Sequence, residues 1–233
     1  MNLQKFLSDK ANLLGIGTSF VVLLISVALL ATNSLPSDTY IAGVNFRLFV
    51  YFGGFCYIIA KFYLCFFEWN RNVLLKQAGW LVFMIGVLGW IVILSSKQDW
   101  IILSVELFGA LMLYYGYRSL TTITDEVKDE RIAKKLLNAC FVVVCLVIGY
   151  YVWVDKIFTL TAWFEIVVAS GFIIGSWALA RDYWWGWICY ILIHLATATL
   201  MGEQGEPLLK NLQYLSIAIA MLGLFGKKLT NQN

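Results

Sequence analysis

Long apolar runs alternate with short polar clusters over the whole chain. A helix needs about 20 apolar residues to cross a bilayer, and it satisfies its own backbone groups there. The pattern predicts eight such helices, at 11–31, 44–67, 75–95, 99–118, 136–154, 158–180, 184–201 and 208–226. The clearest breaks are Asn33 to Asp38, Ser95 to Asp99 and Gly202 to Pro207. A fourth break, Thr124 to Lys135, is rich in charge but nearly balanced, and reads as a solvated loop or helix end.

Composition fits this pattern. Of the 233 residues, 61% are hydrophobic and 13% charged, against about a quarter charged in soluble domains. The expected class is an all-α integral membrane protein. The first apolar run lacks a clear small-residue cleavage site, so it is expected to remain as a helix. Five cysteines, Cys56, Cys65, Cys140, Cys145 and Cys189, fall inside apolar runs without a C-x-x-C, and read as thiols rather than disulfides or metal ligands.

The net charge of +3 says nothing of nucleic acid, but its distribution is informative. With both termini cytoplasmic, 13 of the 17 basic residues lie in or beside inside segments, Lys61, Arg71 and Lys76 among them. Only Arg47, Lys97, Lys156 and Lys210 fall outside. The positive-inside rule favours that orientation, and it requires an even number of spans.

The third and seventh expected helices begin alike. Lys76 stands four before Trp80, and Arg181 four before Trp185, 105 positions on. In the fourth and eighth, Glu106 matches Gln213 and Gly116 matches Gly223, both 107 apart. Two parallel three-helix repeats are expected, joined by a linker helix, with an extra N-terminal helix. The boundaries are 1–40 for the extra helix, 41–118 for the first bundle, 119–155 for loop and linker, and 156–233 for the second bundle. Repeats of this kind build some transporters, with the substrate near the midplane. The pair Gly171 and Gly175 suits close approach of another helix, within the chain or in an oligomer.

Ionisable groups inside spans are costly and mark function by default. Glu106 and Glu165 each lie about seven residues into a span, roughly 10 Å deep. Gln213 lies at similar depth. His194, the only histidine, falls near the midplane. Each has a plainer reading: a snorkelling carboxylate, or an imidazole bonded to a neighbouring helix. Three polar groups at one depth, on helices of both halves, favour a shared site. One histidine without clustered partners is not a zinc pattern. No phosphate loop, G-x-S-x-G or H-E-x-x-H is present, and no nucleophile–base motif marks an enzyme.

The stretch from Arg181 to His194 holds Trp184, Trp185 and Trp187. On a helix, Trp184, Trp187, Ile191 and His194 form one stripe. The tryptophans suit an interfacial aromatic belt, or a stacking platform for a flat heteroaromatic ligand, since base stacking on aromatics is worth about 1–3 kcal/mol. Tyr57, Tyr115 and Tyr214 add further rings.

These motifs resemble the PnuC family of vitamin transporters. The family's W-x-x-W matches Trp184-Trp185-Gly186-Trp187, and an acidic residue in the preceding helix is approximated by Glu165 beside Trp163. A Tyr followed by a Gly in the last helix matches Tyr214 and Gly223, and Y-G-W-Y is approached by Tyr115-Gly116-Tyr117. Ile191 departs from the family, where Asp or Asn is frequent. The resemblance implies a bacterial inner-membrane protein that imports a vitamin or nucleoside-like molecule, nicotinamide riboside foremost, by facilitated diffusion. It implies substrate binding by Trp184, Trp187, His194, Glu165, Glu106, Gln213, Tyr214 and Tyr115, with no cofactor, no metal and no nucleic acid. Partners are then the small-molecule substrate and the lipid bilayer, with a homo-oligomer left open. A SWEET-type sugar transporter shares the repeat, but SWEET halves usually carry a helical proline and the prolines here, Pro36 and Pro207, sit in loops. A non-transporting sensor or assembly protein is the remaining alternative.

Overall fold

A computed structural model describes residues 9–33, 40, 41, 43–96, 100–121, 135, 138, 139, 141, 142, 145, 146, 148–154, 159–203, 205 and 207–230. The first helix is α1 (Lys10–Asn33), followed by a two-residue strand pair, β1 (Tyr40–Ile41) and β2 (Val44–Asn45). Then come α2 (Phe46–Asn70), α3 (Val73–Ser96), α4 (Trp100–Thr121), α5 (Leu160–Ala180), α6 (Trp185–Glu203) and α7 (Pro207–Thr230). Each lies within a few residues of an expected span. Within the expected span 136–154, residues 138, 139, 141, 142, 145, 146 and 148–153 are described and helical.

Six of these helices, all but α4, are long and apolar enough to cross a membrane. At 1.5 Å per residue the 22 residues of α4 extend about 33 Å, which also matches a bilayer core. The chain is thus an all-helical, multi-pass membrane protein. Phe20, Leu24 and Val27 of α1 are exposed, as side chains facing lipid should be.

Polar residues set the helix ends. The Asn45 side chain accepts from Arg47 N–H at 2.9 Å and caps α2. Arg71 ends that helix in the left-handed region, φ 55°, its N–H bonded to Phe67 O at 2.7 Å. Thr159 caps α5 by accepting from Ala162 N–H at 3.2 Å.

Helices α2 to α7 form a closed ring: each packs on the next, and α7 packs back on α2. Outside the ring, α1 lies against α3 and α2. Within the ring, neighbours run antiparallel except at two contacts. Gly109 and Gly116 of α4 face Phe172 and Ala180 of α5, so these two run parallel. Gly54 and Trp69 of α2 meet Leu212 and Gly226 of α7, so this pair is parallel too. A parallel contact between α4 and α5 means that the chain joining them has to return the full length of the bundle.

Close approach of α2 and α3 rests on glycines. A Cβ on Gly89 would stand 3.0 Å from both Gly53 Cα and Phe49 O, and one on Gly86 would stand 2.7 Å from Cys56 Cβ. Small residues at such seams let backbones approach in lipid, where the hydrophobic effect does not drive helices together. Gly171 and Gly175 play the same part within the chain, facing Ile193, Cys189 and Tyr190 of α6.

Gly89→Leu should wedge α2 from α3 and cost about 1–3 kcal/mol or more, the usual price of overpacking. Gly17 has open space around it, so Gly17→Leu should leave stability unchanged. Thermal melting of both variants in detergent checks the contrast.

Candidate functional site

The ring encloses a cavity of about 80 Å³ near mid-height. Its polar lining comes from four helices: Tyr57 and Lys61 on α2, Glu106 on α4, His194 on α6, and Gln213 and Ser216 on α7. Its walls are mostly aromatic and aliphatic, with Phe83 and Trp90 from α3, Phe172 from α5 and Tyr190 from α6.

Helical spacing explains the convergence. Tyr57 and Lys61 lie at i and i+4, as do Tyr190 and His194, and each pair shares a helix face. Gln213 and Ser216, at i and i+3, present two polar groups along α7. Lys61 is nine residues from the end of α2, and His194 nine from the start of α6, which places both roughly 14 Å from the same end of the bundle.

The hydrogen bonds of Tyr57, Lys61, His194 and Tyr190 all cross helix boundaries. Tyr57 Oη donates to Glu106 Oε2 at 2.8 Å. Lys61 Nζ donates to Ser216 Oγ at 3.0 Å. His194 Nδ1 lies 2.7 Å from Gln213 Oε1; with that carbonyl accepting, Nδ1 carries the proton and Nε2 is left as an acceptor. Nε2 is buried and has no partner among the described residues. Tyr190 Oη and Ser176 Oγ share a bond of 2.9 Å.

Three expected site residues therefore meet here: Glu106, Gln213 and His194. The other five lie elsewhere. Trp187 is 1% exposed, below the cavity, its Nε1–H donated to Glu68 Oε1 at 3.2 Å. Trp184 sits in the turn before α6 and is exposed, so the helical stripe starts only after it. Glu165 accepts from Tyr151 Oη, away from the cavity, beside a small cluster of Tyr151, Ala162 and Ile166. Tyr214 is half exposed on the outer face of α7. Tyr115 is partly buried on α4, next to the contact of Gly116 with Ala180, and does not line the cavity.

Lys61 was missed in the sequence because a basic residue near a span end reads as interfacial. It is only 3% exposed inside the bundle. A lysine beside a serine is also a base–nucleophile arrangement in some hydrolases. Here Ser216 lies in mid-helix, where the backbone N–H groups an oxyanion hole needs are consumed by helical bonds.

At the end of the bundle below Lys61, charged groups close the ring. Asp182 bonds Arg71 at 3.2 Å, Lys76 at 3.2 Å and Lys227 at 2.6 Å. Glu68 reaches Arg71 at 3.3 Å and Lys227 at 3.5 Å. Asp182 N–H bonds Leu179 O and Tyr183 N–H bonds Ala178 O, the pattern of a Schellman cap. Asp182 occupies its left-handed position, φ 64°, where glycine is usual. The backbone strain is tolerated where the carboxylate meets three cations. Burial pushes its pKa up, but Lys76 and Lys227 outweigh that and hold it below the ordinary value.

Several pairs of residues 107 positions apart have similar surroundings. Trp80 and Trp187 are both fully buried, and they pack on Gly116 and Gly223 respectively. Phe83 and Tyr190, like Glu106 and Gln213, line the cavity at the same offset. Trp187, not Trp185, is the counterpart of Trp80.

No protein-family model, curated protein or solved structure matches this chain.

A carboxylate with a depressed pKa stabilises the fold above its unfolded value, near 3.9, and that contribution is lost as pH falls through the folded value. Asp182→Asn should lower the melting temperature at neutral pH, keep the left-handed turn, and flatten the decline on acidification. Melting curves from pH 7 to pH 3 check this.

Proposed function

We propose that this chain is a membrane transporter that imports a vitamin or nucleoside-like small molecule by alternating access of two three-helix bundles. Nicotinamide riboside is the compound named by the resemblance to the PnuC family. The carrying observation is the cavity: Glu106, Gln213 and His194 converge near mid-height where α2–α4 meet α5–α7. Intramembrane polar groups around a cavity are the usual mark of a substrate path. The common offset of 107 and the two parallel helix contacts support the repeat, with residues 119–155 as the crossing segment. The charged end, rich in Arg71, Lys76 and Lys227, is the cytoplasmic one in a bacterial inner membrane, which puts both termini inside.

The cavity is small in this conformation. A dry cavity of about 150 Å³ holds benzene, and this one has about half that volume. A nucleoside therefore requires the bundles to separate. In this reading Trp187 and the ion pairs of Asp182 seal the cytoplasmic side, and transport runs down the gradient. The walls argue for a planar ring over a sugar, because hydroxyls would face Phe83, Trp90 and Phe172 without partners.

Uptake into proteoliposomes of nicotinamide riboside, thiamine, riboflavin, 4-aminobenzoate and glucose tests this. One of the four ring compounds should enter and glucose should not. His194→Ala should cut uptake by about tenfold or more, the loss expected of one buried hydrogen bond, with the folded peak on size exclusion retained. Trp184→Phe should leave uptake unchanged. Failure of every compound to bind or enter returns the chain to the sensor or assembly class.

A further inference from the structure

The charges inside the cavity carry information about the ligand that the aromatic motifs do not. Lys61 is a buried ammonium whose one hydrogen-bond partner is the neutral Ser216 hydroxyl. No carboxylate lies within ion-pair distance of it among the described residues. Glu106 faces the same cavity but is turned to the Tyr57 hydroxyl. An ammonium in lipid-depth surroundings without a contacting counter-ion is expensive; the Tyr57 ring, 5.8 Å from Nζ, and Glu106 in the same cavity offset part of the cost, and a substrate anion in contact would offset more of it. Two N–H groups of Nζ remain for it, with the Ser216 hydroxyl beside them.

The other polar groups ask for the opposite. His194 Nε2 is an acceptor, buried and unpartnered among the described residues. The carboxylate of Glu106 also accepts. A ligand must bring a donor to that side. The same cavity is lined by Tyr57, Phe83, Phe172 and Tyr190, with Tyr57–Phe83 centroids at 4.3 Å and Phe172–Tyr190 at 6.2 Å. The small volume admits a single ring more readily than a ring with its sugar.

We infer that the cavity selects a small planar ring bearing a carboxylate, held by Lys61 and Ser216, and an N–H donor, held by His194 and Glu106. This rests on the reading of the cavity as the transport site, and it narrows the substrate class from a pyridinium cation to an amphoteric acid. A cation is disfavoured at the Lys61 side, where its charge would meet the ammonium. A plain inorganic anion is disfavoured because most of the lining is apolar.

The test uses purified full-length protein in nanodiscs and four probes: 4-aminobenzoate, its neutral amide, benzoate, and nicotinamide riboside. The acid should bind at least about tenfold tighter than the amide, as a charge-assisted hydrogen bond implies. It should also bind tighter than benzoate, which lacks the donor. Lys61→Met keeps the length and apolar stem and should collapse the acid-to-amide ratio to about unity. Because the readout is a ratio, partial destabilisation of the variant does not mimic it. Equal binding of acid and amide, a ratio that survives Lys61→Met, or binding of nicotinamide riboside alone overturns the inference. The last of these leaves the transport proposal standing. Tight binding of 4-aminobenzoate with no uptake into proteoliposomes does the reverse: the ligand class stands and transport fails.

Discussion

A polar side chain halfway through a bilayer has no water to satisfy it, so the protein must supply its partner. This requirement organises the interior of the ring. Thr197 bonds back to Ile193 O of its own helix, but the other hydrogen-bonded groups around the cavity reach to another helix: Tyr57 from α2 to α4, Lys61 from α2 to α7, His194 from α6 to α7, and Tyr190 from α6 to α5. Bonds between membrane helices are worth about 0.6–2 kcal/mol each, so together they resist sliding more than separation. Glycines set the distance between helices, and these bonds set the register. α7 is the hinge of the arrangement, since Gln213 and Ser216 tie it to both of its neighbours.

In the proposed repeat, a three-span unit used twice in one direction gives such parallel contacts. Antiparallel neighbours can be joined by a short turn, as α2 and α3 are at Arg71 and Asn72. Parallel neighbours cannot. The contact of α4 with α5 forces a long return, and in the repeat reading the 107 offset belongs to the same geometry. Buried tryptophans on glycines recur because a wide indole near the axis of a bundle needs a partner with no side chain. Trp80 on Gly116 and Trp187 on Gly223 meet that need twice, and only the second indole finds an acceptor, Glu68. The indole nitrogen of Trp80 has none.

The helices were legible because apolar length and polar breaks act locally; the ends moved by only a few residues. Glu106, Gln213 and His194 were legible because a polar residue in an apolar run stands out wherever it points. Direction was harder. Trp184 and Trp187 share a stripe on an ideal helix, yet the Schellman turn at Asp182 delays α6 to Trp185 and leaves Trp184 outside. Glu165 has the depth of a site residue but faces Tyr151. Lys61 was hidden by a long α2: the helix runs to Asn70, so a lysine counted with the interface lies well inside. Depth can be counted along a sequence, whereas the facing partner depends on helix packing.

The two ends of the cavity are closed by different physics. Toward the start of α7 the lining is apolar, with Leu94, Leu200, Met201 and Leu209. At the other end it is ionic, with Asp182 and Glu68 shared among Arg71, Lys76 and Lys227. Ion pairs do not lock a protein shut in proportion to their number. Asp182 is 41% exposed as a side chain, and such pairs are screened and nearly balanced by hydration. Glu68 and Lys227 are about 5% exposed, but when the bundles part both regain water, which offsets the lost attraction. The network therefore fixes where the helix ends dock with little net cost to release. In the transport reading this is what a reversible seal requires: specific geometry when shut, and an open form of nearly equal free energy. The strained turn at Asp182 belongs to the same logic, since a glycine would relax the backbone but remove the charge that draws three helix ends to one point.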